Sequence, residues 1–170
     1  AEEVIEEIQV VEQSTTTSTS TTVQSLMKRQ FPFSCSASSS LGDGWSCEKI
    51  YDNEPSSWQD KSLECADATL EFTFSKDVYF EFLTYENLDD SKSFKRNFKP
   101  RDILITSEEE GFSIEYELEN QNTSTQWIDL NTTTSVITIQ ILSAYPGEEV
   151  NGAEAFPECA IQEITFYGRG

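Results

Sequence analysis

The residues best suited to chemistry form three groups in this chain. Five of its 11 Lys and Arg residues fall within ten positions (Lys92, Lys95, Arg96, Lys99 and Arg101), interleaved with Phe94, Asn97 and Phe98. Guanidinium and amide donors beside aromatic faces suit sugar hydroxyls or an acidic glycan group, with the rings stacking on the apolar face of a pyranose. The competing reading is a set of exposed pairs with nearby Glu and Asp, which contribute little. A second group, Asp52-Asn53-Glu54-Pro55-Ser56-Ser57, concentrates oxygen donors on a Pro-tightened turn. Calcium takes six to eight such oxygens, whereas a plain Asx turn would use Asp52 on its own backbone. An EF-hand is excluded, because the sixth loop position from Asp52 is Ser57 and the twelfth is Leu63.

The third group is the cysteines, Cys35, Cys47, Cys65 and Cys159. None lies in a C-x-x-C pair, and the chain has no His to complete a mixed zinc site. Two disulfides in an oxidising compartment are expected, with all three connectivities open. The absence of His also removes the Ser–His and Cys–His nucleophile pairs. No G-x-S-x-G, G-x-x-x-x-G-K or G-x-G-x-x-G motif occurs, and close acidic pairs such as Asp89-Asp90 are expected by chance among 31 acids. A non-enzymatic chain is therefore expected, with no catalytic residues. The net charge of −20 argues against nucleic-acid backbones and anionic membrane surfaces as partners. No apolar run reaches the ~18–20 residues of a spanning helix, so no direct membrane insertion is expected.

These groups must be held by a fold, and the texture of the chain divides at Phe33. Residues 1–32 carry an acidic start and an unbroken Ser/Thr run from Ser14 to Thr22, and read as a disordered linker or stalk. From Phe33 to Gly170, short segments alternate apolar and polar residues at the period of a half-buried strand. Phe112–Leu118, Leu70–Phe74, Gln126–Leu130, Val136–Ile141 and Ala160–Tyr167 are regular. Val78–Thr84, Ile103–Thr106 and Ser36–Leu41 are less so. About eight strands divided by turns predict an all-β, antiparallel sandwich or barrel. The chain begins at Ala1 without a signal-like stretch, so an export signal or anchor upstream is expected, with an extracellular, cell-surface or periplasmic location.

Five segments stand in a recognisable order: Ala37–Leu41, Ile50-Tyr-Asp52-Asn-Glu-Pro55-Ser-Ser57-Trp58, Ala68–Phe74, Asn97-Phe-Lys-Pro100-Arg101–Ile105, and Tyr145-Pro-Gly147 with Cys159–Gly168. Over residues 33–168 this resembles the galactose-binding-like jelly roll of discoidin (factor V/VIII type C) domains. It is nearest to the bacterial NADase-type glycan-binding branch. The resemblance implies two antiparallel sheets with binding loops at one end, in a non-catalytic module for glycans and sometimes proteins or lipids. It also implies a structural calcium on Asp52, Ser57 and Glu163 with carbonyls around Glu54, and a core position for Trp58. Tyr85, Lys92, Lys95, Arg96, Asn97 and Trp45 are the expected ligand contacts, Trp45 following the flexible Gly42-Asp-Gly44 turn. The alternatives are a protein–protein or structural module of a surface assembly, and the ectodomain of a membrane-anchored sensor.

Overall fold

A computed structural model describes residues 27–170; residues 1–26, most of the stretch read as a linker, lie outside the described part. The first strand, β1 (Lys28–Gln30), falls inside that expected linker and pairs antiparallel with the last strand of the chain. The reason is backbone pairing: its N–H and C=O groups complete an otherwise open sheet edge, which composition alone does not reveal. The other strands are β2 (Ser34–Ala37), β3 (Trp58–Gln59), β4 (Thr69–Glu86), β5 (Lys99–Pro100), β6 (Asp102–Ser107), β7 (Ser113–Glu117), β8 (Gln126–Ile141), β9 (Ala144–Tyr145), β10 (Ala160–Ile161) and β11 (Glu163–Arg169). Among the described residues, one short α-helix, α1 (Ser91–Arg96), and two single 3-10 turns (Asp43–Trp45 and Cys47–Ile50) interrupt them. The antiparallel all-β expectation holds, with 11 strands among the described residues in place of about eight.

Two long strands build both layers. Segments that read as separate strands join into β4, 18 residues long, and β8, 16 residues long. Their pairing slips where Phe74–Asp77 stand opposite Ser135, between the partners Thr73↔Val136 and Val78↔Thr134. Such an irregularity bends a strand and deepens its twist. The first half of β4 lies between β2 and the second half of β8, which continues to β6 and β7. Its second half lies between β11 and the first half of β8, with β1 on the outer edge of β11.

The layers meet over aromatic side chains. Phe72 from one half packs edge-on against Phe166 of β11 at 5.0 Å between ring centroids, and Phe74 and Phe80 close around the same ring at 5.3 and 5.9 Å. Ile103, Ile105, Ile137, Ile139 and Ile141 fill the remainder from β6 and β8. Each large side chain so buried stabilises by roughly 1.5–3 kcal/mol. Trp58 is fully buried, as expected, and its indole N–H donates to the Ser39 carbonyl.

The disulfides are Cys35–Cys47 and Cys65–Cys159, with Cα atoms 5.7 and 4.8 Å apart. Asp60, fully buried, accepts hydrogen bonds from the backbone N–H of both Cys65 (3.2 Å) and Cys159 (2.6 Å). Burial pushes its carboxyl up, and those two N–H donors oppose the rise. One side chain thus ties both ends of a bond that spans 94 residues of sequence. In the chain-entropy model a loop of about that length stabilises by ~4–5 kcal/mol. Replacing Cys65 and Cys159 together with Ala is expected to cost ~2–5 kcal/mol in urea denaturation. Asp60→Ala, which leaves two buried donors unpaired, should cost ~1–3 kcal/mol for each. Either variant unfolding at the wild-type midpoint would refute this account.

Candidate functional site

Three long connections converge beside the Cys65–Cys159 bond. They are residues 38–57, the 87–98 segment carrying α1, and residues 146–159. Backbone hydrogen bonds stitch them: Phe98 N–H to Glu158 O, Phe156 N–H to Arg96 O, Glu148 N–H to Lys95 O, and Leu41 N–H to Gln59 O. The Gly147 backbone presses so close to α1 that a Cβ there would overlap the Arg96 carbonyl oxygen. Helix α1 is capped by Asp90, whose carboxylate accepts from Ser93 N–H at 2.7 Å. Hydrogen bonding from Ser93 holds the Asp90 carboxyl below its usual range.

Between these connections lies a cleft of about 250 Å³ lined by Leu41, Trp45, Gln59, Ser93, Asn97, Phe156 and Glu158. Trp45 and Phe156 are its aromatic walls, 42% and 37% exposed. Asn97, only 2% exposed, gives its side-chain N–H to the Ser93 carbonyl at 2.8 Å. Its Oδ1 is buried and has no hydrogen-bond partner. The Arg96 guanidinium stacks on the Phe156 ring at 3.7 Å and donates to the Glu154 carbonyl. This stacking orients the ring without a charge partner.

Expected contacts separate here. Trp45 and Asn97 reach the cleft, with Arg96 behind Phe156. Lys92 and Lys95 are exposed on α1 and are not among the lining residues. Lys99 is buried, its ammonium donating to the carbonyls of Phe94 (3.0 Å) and Asn97 (3.1 Å) with Pro146 at 3.5 Å. Desolvation pulls its basicity down, against the pull of Glu148. Arg101 pairs with Glu117 at 3.2 Å. Tyr85 is 1% exposed and belongs to the core; its hydroxyl donates to Asn87 Oδ1, and burial raises the phenol above its usual range. The cause is a bulge at Glu81, which moves the inward positions of β4 from Phe72, Phe74 and Phe80 to Leu83 and Tyr85. Phe156, Gln59, Ser93 and Glu158 were not among the expected contacts. The one sequence signal for Phe156 is that it is an aromatic residue outside the segments read as strands.

The residues that the resemblance assigns to calcium lie elsewhere, around the turn after Ile50. Asp52 accepts from Glu54 N–H and the Ser56 hydroxyl, forming an Asx turn, with Lys49 4.0 Å away. Ser57 accepts from Gln59, and Glu54 is exposed. Glu163 accepts from the Arg29 guanidinium at 2.8 Å and from Asn53 N–H at 3.3 Å. Burial pushes the Glu163 carboxyl up to about 7, against the pull of Arg29 and the Asn53 N–H. As arranged, the side-chain oxygens of Asp52, Ser57 and Glu163 already accept hydrogen bonds from other groups of the chain. Among the described residues, no group of three or more Cys, Asp or Glu is placed to hold a metal, and no helix is long and apolar enough to cross a membrane.

No family model and no curated protein matches the chain. Solved structures do. The family 32 CBM from Clostridium perfringens NanJ, in complex with galactose, aligns with TM-score 0.59 at 15% identity over 79% of this chain and 92% of that one. CBM32-1 and CBM32-2 of Clostridium perfringens ZmpB, in complex with GalNAc, align with TM-score 0.61 at 13% identity. That match covers 82% of this chain but 34% of the longer ZmpB chain. An F5/8 type C domain from Bacteroides fragilis aligns with TM-score 0.54 at 13% identity, over 80% of this chain and 91% of that one. Together with the topology, these likenesses establish the architecture: the chain has the discoidin-like, galactose-binding-like β-sandwich fold.

Proposed function

We propose that this domain is a non-catalytic glycan-binding module and that the cleft between Trp45 and Phe156 receives the sugar. The observation that carries the reading is Asn97, a buried amide oxygen left without a partner on the wall of a cleft with two exposed aromatic rings. Buried polar atoms are nearly always satisfied, so an unpartnered amide oxygen on a cleft-lining residue suits a donor such as a sugar hydroxyl. Glu158, Gln59 and Ser93 add acceptors and donors, while ring faces take the apolar side of a pyranose. The cleft is below the ~300–1,000 Å³ of drug-sized pockets, which suits one terminal sugar. Solved relatives of this fold that hold galactose and GalNAc support the same class of ligand. Two disulfides suit an extracellular setting, where such a module would act.

A second reading, contact with a protein, is favoured by one observation. Trp127 is 60% exposed and packs with Phe82 at 5.0 Å between ring centroids, and Phe82 stacks on Tyr167 at 4.8 Å. An apolar cluster on an outer sheet face is the kind of surface that partners cover.

Titration of the domain with galactose, GalNAc and a wider sugar panel by calorimetry tests the first reading. Trp45→Ala and Phe156→Ala are each expected to weaken binding by ~10-fold or more. Lys92→Ala and Lys95→Ala should change it little. Gly147→Ala should weaken binding, because α1 and the 146–159 connection must then separate. No binding by the wild-type domain across the panel, or undiminished binding by both Trp45→Ala and Phe156→Ala, would sink the assignment.

A further inference from the structure

The turn that the resemblance assigns to a calcium ion is held here by a side chain. Arg29, on β1, sends its guanidinium into the ring of oxygens around Asn53. Nη1 donates to Asn53 Oδ1 at 3.1 Å, and Nη2 donates to the Tyr51 carbonyl at 3.3 Å and to Glu163 Oε1 at 2.8 Å. A backbone carbonyl, a side-chain amide oxygen and a last-strand carboxylate are the mixed oxygen set that a hard cation takes. Asn53 adopts the left-handed backbone region (φ 58), and its N–H meets the other Glu163 oxygen. The Glu163 side chain is 8% exposed and that of Arg29 24%, so the pair is largely shielded from solvent.

We infer that the Arg29 guanidinium takes the place of a structural cation in this domain, so that the Ile50–Ser57 turn is locked to β11 through β1 without calcium. The geometry suits a guanidinium specifically. It reaches three acceptors on two separate segments with planar, directional N–H groups, where a lysine would offer a point charge on a flexible stem. β1 itself gains from the arrangement. With only three residues paired to β11, it is fastened by a side chain as well as by backbone bonds. The inference is independent of what the Trp45–Phe156 cleft binds.

Thermal unfolding of the domain, followed by circular dichroism in EDTA and in added CaCl2, tests it, with calorimetric titration of CaCl2 into EDTA-treated protein alongside. Wild-type protein is expected to melt at the same temperature in both conditions and to show no calcium binding. Arg29→Gln and Arg29→Lys should both melt lower, Arg29→Gln by ~5–15 °C, because a shielded carboxylate loses its charge partner. A wild-type midpoint that rises in calcium overturns the inference; saturation at ~100 times Kd would raise it by ~5–10 °C. So does an Arg29→Gln protein as stable as wild type. Should Arg29→Gln fail to fold, Arg29→Lys and the wild-type calcium titration decide the question alone.

Discussion

The structure depends on one bend. β4 must leave one layer and enter the other without ending, so that Phe72 and Phe74 on one side of Phe74–Asp77 and Phe80 on the other all reach Phe166. A straight strand of 18 residues would place those rings along a single sheet, with no second layer to cover them. The exposed Ser75, Lys76 and Asp77 give the chain a polar outer corner at which to turn. Most else follows from it. β8 bends alongside, β2 and β11 dock on opposite halves, and the connections gather where the half-strands end.

That gathering explains how an end of the sandwich with little regular structure keeps a defined shape. The buried Lys99 ammonium faces three carbonyls, Asp60 faces two N–H groups, and the Cys65–Cys159 bond joins the two residues that Asp60 holds. Polar groups removed from water are costly unless paired, so each satisfied set strongly favours one loop arrangement. Against that background the unpaired Asn97 oxygen stands apart, since its neighbours are so thoroughly matched. Lys99 is also instructive about charge. It belongs by sequence to a basic cluster, yet its ammonium is buried against backbone carbonyls and serves the fold.

Much of this was legible in the residues. Alternation in Leu70–Phe74, Gln126–Leu130 and Val136–Ile141 marked strands, and the ordered motifs pointed to the architecture. Other features were not legible, for physical reasons. Polar interruptions at Ser75–Asp77 and Asn131–Ser135 look like turns, although the backbone pairs on either side of them as one continuous strand. Helix α1 has six residues, less than two turns, and so carries no periodicity to detect. Tyr85 was misplaced because one extra residue at Glu81 reverses which side chains face inward, and a bulge leaves no mark in composition. Trp45 and Asn97 were singled out by residue type and line one cleft, but Phe156, far along the chain, meets them there only through tertiary folding.

Arg29 carries a practical lesson about where this domain starts. The change in sequence texture invites a cut at Phe33, yet such an excised fragment would lack the strand that seals the β11 edge and the only group that neutralises Glu163 at short range among the described residues. A recombinant version trimmed there would expose a sticky flank beside an isolated charge. A cut keeps both the β1–β11 pairing and the Arg29–Glu163 contact only if it falls ahead of Lys28.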